Sequence, residues 1–159
     1  MKAGIEAMNI YCGSAALEVA VLVKARNLDS YRFENLLMKE KTVPMPYEDP
    51  ISNAVNAAKP IIDSLSEEER NRIDMVITCT ESGIDFGKSM STYIHHYLGL
   101  NRNCRLFELK NACYSGVAGF QMAVNFILSQ ASPGRKALVI ATDIMRMSVA
   151  GGSLEMSFA

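Results

Sequence analysis

Long apolar runs alternate with helix-like segments in the second half of the chain. Residues 73–80 (IDMVITCT), 104–109 (CRLFEL) and 136–143 (KALVIATD) are rich in β-branched and other apolar side chains. Residues 86–99 and 117–130, which lie between them, have the length and composition of helices. Strands of this kind, joined through helices, are typical of a parallel sheet that is covered on both faces. The pattern therefore predicts an α/β fold, a βαβαβ half with a layered parallel-rich sheet and flanking helices.

The first part of the chain is less regular. Residues 3–12 (AGIEAMNIYC) predict a first strand, which ends before Gly13 and Ser14. Two helices and a rigid loop with three prolines are predicted for the following segments: 15–27, 32–40 and 42–50. Residues 51–65 predict a further helix, which Pro60 should kink or break.

The composition is that of a soluble globular protein with about one domain. The chain has 159 residues, of which 49% are hydrophobic and 21% are charged. A net charge of −1 gives no bulk reason to expect binding to nucleic acid or to an anionic membrane. Polar residues interrupt the apolar amino-terminal stretch, and no run of about eighteen apolar residues occurs. Neither a signal peptide nor a membrane span is predicted.

The cysteines and histidines give no sign of a metal site. Four cysteines are widely spaced and form no CxxC pair: Cys12, Cys79, Cys104 and Cys113. This spacing fits neither a zinc site nor a small-domain disulfide framework, so a reducing cytoplasm is the expected compartment. His95 and His96 are adjacent on a predicted helix and point in different directions, which makes them a poor metal pair. We interpret both as surface or helix-packing residues.

A turn of small residues separates the predicted strand 104–109 from the long helix that follows, and it contains Cys113. At a helix amino terminus, unpaired backbone N–H groups and the helix dipole favour an anion. The pKa of Cys113 should therefore be lowered towards the thiolate, the form that attacks carbonyl carbons. The alternative is that Cys113 is a buried small hydrophobe, as many free cysteines are.

Two carboxylates also stand at the carboxyl ends of predicted strands, namely Glu81 and Asp143. Active sites of open parallel sheets form beyond the carboxyl ends of the strands. If the strands before Glu81 and Cys113 are close in the sheet, a thiol and a carboxylate share one crevice. Such a pair suits chemistry on a thioester, because one residue holds the acyl group while the other moves a proton. The alternative for Glu81 is a helix cap or loop carboxylate, and for Asp143 we prefer the interpretation as a turn or cap residue.

Several segments together resemble a known family. AGIEAMNIY, YEDP, TESGIDFGKS, LGLNRNCRLFELKNACYSG and ALVIATD occur in the order found in 3-hydroxy-3-methylglutaryl-CoA synthases of the thiolase superfamily. The resemblance covers essentially all 159 residues. FENLLMKEK, NAAKPIID and GFQMAVNFILSQ are most similar to the versions found in polyketide gene clusters. Those enzymes build β-methyl branches on chains carried by acyl carrier protein.

The resemblance implies roles for individual residues. Cys113 matches the family nucleophile, which takes an acetyl group from a donor thioester, and Glu81 matches the general acid/base, which removes a proton from the acetyl methyl group. The resulting enolate equivalent attacks the β-keto carbon of an acceptor, and hydrolysis frees the product. Arg26 matches an arginine near the mouth of the pantetheine tunnel and could contact a phosphate, whereas Lys24 beside it has no such match. No bound cofactor is implied, because the substrates are carried on phosphopantetheine of acyl carrier protein or coenzyme A.

The resemblance also implies an architecture. The thiolase fold has two similar halves, and residues 1–159 resemble the amino-terminal half. The family's catalytic histidine lies in the carboxy-terminal half, so neither His95 nor His96 inherits its role, and Met147 stands where relatives usually carry an aromatic residue. We expect the chain to be a fragment or one piece of a split protein, with a large apolar face that the second half covers. The expected partners are acyl carrier protein, a second copy in a homodimer, and the missing half.

Three other interpretations remain open. The first is the primary-metabolism enzyme that uses acetyl-CoA and acetoacetyl-CoA, and the second is a non-catalytic piece that only binds its partner. A ketoacyl synthase of the same fold is less well supported, since its chemistry usually relies on histidine and asparagine or on a second histidine. Glu81 does not fit that pattern.

Overall fold

A computed structural model of the protein describes residues 2–129 and 132–144. In chain order the elements are β1 (Ala16–Glu18), α1 (Val19–Arg26), α2 (Ser30–Asn35), β2 (Glu40–Thr42), α3 (Pro50–Ser64), α4 (Glu67–Asn71), β3 (Ile73–Thr80), α5 (Met90–Tyr97), β4 (Arg105–Lys110), α6 (Tyr114–Leu128) and β5 (Lys136–Ala141). Met147 lies outside the described residues. The chain divides into two compact units: Pro50–Asp143 belongs to the first together with the amino-terminal segment, and Cys12–Asp49 belongs to the second.

The first unit is built on a parallel sheet with the strand order β4-β3-β5. The register places Thr78 of β3 opposite Glu108 of β4 on one side and opposite Ile140 of β5 on the other. Helix α5 connects β3 to β4, and helix α6 connects β4 to β5. The predicted βαβαβ unit and the α/β fold class are confirmed.

Helices cover both faces of the central strand. The side chains of β3 alternate between the two faces, and both faces are buried, which explains the nearly continuous apolar run in the sequence. On one face, Val76 packs in a cluster with residues of α3 and α5, whereas Met75, Ile77 and Cys79 pack on the other face with Ala123 of α6. The α3 and α5 cluster includes these buried side chains: Ile51, Ala54, Ala58, Ile62, Met90 and Ile94.

Gly119 brings α6 unusually close to the sheet. A Cβ atom at this position would overlap the Cys79 sulfur and would lie 3.3 Å from Cγ2 of Ile77. Only a residue without a side chain allows this approach. The close packing fixes the helix that starts directly after Cys113.

The second unit contains the short antiparallel pair β1 and β2, together with α1 and α2. The proline-rich segment that follows β2 is a loop, as predicted. The Glu48 carboxylate holds this loop, because it accepts backbone N–H bonds from Ser14 at 2.9 Å and from Met45 at 2.8 Å.

Several sequence-based expectations about elements differ from the structure. Residues 3–12 do not form a strand: no described strand pairs with them, and a lone strand has no ladder to stabilise it. The helix predicted from residue 15 begins at Val19, because the preceding residues pair with β2 instead. Pro60 does not break α3, whose buried face anchors the helix on both sides of the proline.

The helix expected from Phe86 also begins later, at Met90. The Asp85 carboxylate accepts the backbone N–H groups of Gly87 at 2.7 Å and Lys88 at 2.8 Å, which forms a turn instead of a helical start. Ser89 then caps the helix by accepting the N–H of Ser91.

Candidate active site

The thiol of Cys113 and the carboxylate of Glu81 are in direct contact. The Cys113 Sγ donates a hydrogen bond to Glu81 Oε1 over 2.8 Å. The contact follows from the topology: β3 and β4 are parallel neighbours, so the residues beyond their carboxyl ends meet at one edge of the sheet. The predicted convergence of these side chains is therefore observed, and Cys113 is exposed to solvent rather than buried.

A tight turn presents the thiol. Ala112 has a φ of 42°, a left-handed conformation that few residues other than glycine adopt. Cys113 follows as the N-cap residue of α6. The buried Ser115 holds the turn, because its hydroxyl donates to the Ala112 carbonyl at 2.9 Å and its backbone N–H donates to the same oxygen at 3.1 Å. A strained residue beside an exposed thiol is an arrangement typical of functional sites.

The electrostatics at Cys113 differ from the sequence-based expectation. The hydrogen bond to the Glu81 carboxylate raises the pKa of Cys113, and the negative charge of Glu81 acts in the same direction. Ionising the thiol would place a second negative charge beside the first, and this repulsion outweighs the favourable helix terminus. The expected lowering of the Cys113 pKa is wrong. The hydrogen bond from the thiol to Glu81 therefore favours the protonated form of Cys113.

The turn that carries Glu81 is fixed from β5. The Asp143 Oδ2 accepts the backbone N–H of Glu81 at 2.8 Å, and Oδ1 accepts the hydroxyl of Ser82. The Thr80 hydroxyl adds a further bond by accepting the N–H of Gly83 at 3.2 Å. Asp143 is only 7% exposed. It stabilises a turn, which agrees with its interpretation from the sequence as a turn or cap residue, but this turn follows β3 and not β5. The sequence alone lacked the strand order that reveals this contact.

The two histidines make contacts close to their own positions in the sequence. His95 Nε2 is 2.7 Å from the Asn101 carbonyl, and the His96 ring meets the Tyr97 ring edge-on. These contacts fit the interpretation as helix-packing and surface residues. Lys24 and Arg26 lie in the last turn of α1 in the second unit. Partial burial and the charge of Arg26 both lower the pKa of Lys41 on β2, so two cations are neighbours there.

No cluster of three or more histidine, cysteine, aspartate or glutamate side chains suited to a metal ion occurs among residues 2–129 and 132–144. Within the same ranges, no helix combines the length and the apolar character that crossing a membrane requires.

The sequence matches a defined protein family. A family model for the amino-terminal part of hydroxymethylglutaryl-coenzyme A synthase matches residues 1–153. The chain belongs to the hydroxymethylglutaryl-coenzyme A synthase family. Its structural neighbours are hydroxymethylglutaryl synthases with the thiolase-like fold, so the expected fold family is confirmed.

Within this family the chain shares high sequence identity with proteins of polyketide pathways. It is 70% identical over 157 residues to the polyketide biosynthesis 3-hydroxy-3-methylglutaryl-ACP synthase PksG of Bacillus subtilis, covering 99% of this chain and 37% of PksG. It is 33% identical over 153 residues to a hydroxymethylglutaryl-CoA synthase of Enterococcus faecalis, covering 96% of this chain and 39% of that protein. The predicted resemblance to polyketide-type family members is confirmed.

A solved structure supports the same assignment. The curacin biosynthetic pathway synthase, in complex with its acetyl donor-ACP, superimposes with a TM-score of 0.87 and 69% sequence identity. The match covers 92% of this chain and 36% of that structure. The chain thus spans less than two fifths of the length of the relatives it matches.

Proposed function

We propose that the chain provides the thiol-bearing part of a 3-hydroxy-3-methylglutaryl synthase of polyketide β-branching. In this reaction an acetyl group is transferred to Cys113 and then added to a β-ketoacyl thioester on acyl carrier protein. The observation that carries the proposal is the 2.8 Å contact between the Cys113 thiol and the Glu81 carboxylate at adjacent strand ends. The identity to PksG and the solved complex of the curacin synthase with its donor carrier protein support the choice of substrate class.

The first step is acetyl transfer to Cys113. The sulfur attacks the carbonyl carbon of the donor thioester, a new C–S bond forms, and the bond to the donor sulfur breaks. The thiol proton leaves Cys113, and the departing donor thiolate takes up a proton, so the charges balance. Glu81, which accepts the hydrogen bond of the resting thiol, takes up this proton during the attack and passes it to the departing donor thiolate, so Glu81 is again a carboxylate for the second step. Cys113 is exposed, so a thioester on a carrier arm can reach its sulfur.

The second step uses Glu81 as the base. An acetyl group on Sγ places its methyl carbon two bonds from the sulfur, within reach of the adjacent carboxylate. Glu81 removes a proton from this methyl group, and the enolate equivalent forms a C–C bond to the β-keto carbon of the acceptor. The acceptor oxygen gains a proton, and water then cleaves the thioester to Cys113. Asp143 keeps the Glu81 turn in place by accepting its backbone N–H.

Binding of the carrier arm is proposed for the second unit. The phosphate of phosphopantetheine is an anion, and Arg26 lies beside a second cation, Lys41. Two neighbouring cations attract such a group through charge-assisted hydrogen bonds. We propose Arg26 as the phosphate contact, and acyl carrier protein as the partner that delivers the phosphate.

We further propose that the carboxy-terminal part of such a synthase, and a second copy in a homodimer, complete the active assembly. The outer face of α6 supports this proposal. It exposes large apolar side chains, among which Val117 is 53% exposed, Phe120 48% and Leu128 45%. These residues recur at helical spacing and form an apolar stripe of the kind that another part of a protein covers.

Intact mass spectrometry after mixing with acetyl-carrier protein, or separately with acetyl-CoA, tests the proposal. An acetyl adduct should form on the wild-type chain and be absent from Cys113→Ala. Cys12→Ala is the matched control, because Cys12 is also an exposed free thiol and should leave the adduct unchanged. A faster reaction with the carrier protein supports the polyketide assignment, while a faster reaction with acetyl-CoA favours the primary-metabolism enzyme. An adduct that persists in Cys113→Ala, or no adduct from either donor, would contradict acetyl transfer by this chain.

A further inference from the structure

The segment between β3 and α5, residues 81–89, lies against the carboxylate of Glu108 on β4 near both of its ends. Glu108 Oε2 accepts the backbone N–H of Met90 at 2.6 Å, at the point where α5 begins. Near the other end of the segment, a Cβ atom built on Gly83 would lie 3.1 Å from Glu108 Oε1. The backbone of Gly83, with a φ of 66°, therefore runs directly beside the same carboxylate. Both ends of the segment thus meet one side chain.

Glu108 belongs to the strand that leads to Cys113. It stands in register with Thr78 of β3 and is partly buried, and β4 ends two residues later at Lys110. Gly83 follows Glu81 by two residues. The Glu108 contacts therefore connect the segment that follows the proposed base to the strand that leads to the proposed nucleophile.

We propose that Glu108 is a positioning residue for Glu81. By holding the segment from Gly83 to Met90 against β4, its carboxylate keeps Glu81 within hydrogen-bond distance of the Cys113 thiol. Asp143 fixes the two preceding residues, Glu81 and Ser82, from the β5 side, so residues next to both outer strands of the sheet hold the connection between β3 and α5. The catalytic meaning of this role rests on the proposed function, whereas the geometry can be tested without turnover.

The pH profile of Cys113 alkylation by iodoacetamide reports the position of Glu81, because a carboxylate at 2.8 Å disfavours the thiolate. Peptide-level mass spectrometry would isolate the modification at Cys113. In the Glu108→Ala variant, Cys113 should be alkylated severalfold faster than in the wild type near neutral pH. The pH profile of this reaction should approach that of Glu81→Gln. Glu108→Gln should stay close to wild type, since its amide oxygen still accepts the Met90 N–H. Glu108→Asp keeps the charge but is one methylene shorter, so it should resemble Glu108→Ala.

A double variant shows whether Glu108 affects Cys113 reactivity through Glu81 or independently of it. Glu81→Gln combined with Glu108→Ala should react no faster than Glu81→Gln alone, because both changes act through one carboxylate. A wild-type profile for Glu108→Ala and Glu108→Asp would overturn the proposal, as would equal shifts for Glu108→Ala and Glu108→Gln. Circular dichroism would check that each variant is folded. If Glu108→Ala is not folded, the alkylation profile of Glu108→Asp tests the proposal in its place. Failure of Cys113 acetylation in the wild type, with the profiles as expected, would count against the proposed function alone.

Discussion

The backbone N–H of Glu81 donates a hydrogen bond to the carboxylate of Asp143, a residue 62 positions later in the sequence. Asp143, beyond β5, therefore fixes Glu81, beyond β3. Glu81 is the residue that accepts the hydrogen bond of the Cys113 thiol. Stability of the sheet edge and geometry of the candidate site depend on the same contact.

Removal of the Asp143 carboxylate should destabilise the protein. Asp143→Ala leaves the N–H of Glu81 and the hydroxyl of Ser82 without this acceptor, and an unsatisfied part-buried polar group costs about 1–3 kcal/mol. Urea denaturation would measure the loss in the free energy of unfolding. Asp63→Ala is the control, because Asp63 forms an exposed ion pair with Lys59 that contributes about 0–1 kcal/mol. Equal effects of the two substitutions would show that the Asp143 contacts add no stability.

Glu81→Gln should make the Cys113 thiol more reactive, although it removes the proposed base. The Glu81 carboxylate raises the pKa of Cys113 through its hydrogen bond and its charge, so a neutral amide returns this pKa towards its ordinary value. A larger thiolate fraction near neutral pH should speed alkylation and still permit acetylation, while condensation is lost. The rate of iodoacetamide modification against pH would show the downward shift. Glu67→Gln on α4 serves as the control, and slower alkylation of Glu81→Gln would contradict the assigned cause.

Gly119→Ala should be strongly unfavourable because the new methyl group overlaps the Cys79 sulfur. Overpacking of this kind typically costs about 1–3 kcal/mol. Gly116→Ala in the same helix is the matched control, because its new Cβ would meet nothing within 4 Å beyond its chain neighbours and the helix's own backbone. A helical Gly→Ala change usually stabilises by about 0.5–1 kcal/mol. Thermal denaturation of the two variants should shift the midpoint in opposite directions. Similar midpoints would show that α6 can move away from the sheet.

Arg26→Gln should weaken donor binding without changing the chemistry at Cys113. A charge-assisted hydrogen bond is worth about 1.5–3 kcal/mol, so the donor concentration that half-saturates the acetylation rate should rise about tenfold or more. The maximal rate should be retained. Lys24→Gln lies in the same helical turn and should have little effect, and a similar rise for both variants would indicate general charge attraction instead of a phosphate contact.

The sheet and its candidate pair were predictable because their signals are local. The apolar runs of β3, β4 and β5 and the turn around Cys113 are visible in a few residues each. Once parallel neighbours are assumed, the carboxyl ends of the strands must meet, and the sequence pattern predicts the contact between Glu81 and Cys113.

The remaining features depend on contacts between distant parts of the chain. Residues 16–18 look helical alone, but they form β1 because β2 pairs with them. The role of Asp143 in the Glu81 turn required the strand order β4-β3-β5. The pKa of Cys113 was predicted in the wrong direction because the helix terminus is a local feature, whereas the opposing charge of Glu81 comes from another strand.

The buried thiol of Cys79 can report how often α6 detaches from the sheet. Burial raises the pKa of this thiol to about 11, and α6 lies directly over its sulfur at Gly119. Cys79 can react with a reagent only while α6 is lifted from the sheet, so its slow labelling records how often the helix detaches. The same helix begins at Cys113, where an exposed thiol reacts without such opening. One labelling experiment can therefore measure two rates on the same helix: the reaction of the exposed Cys113 thiol at its start, and the detachment of α6 from the sheet at Cys79.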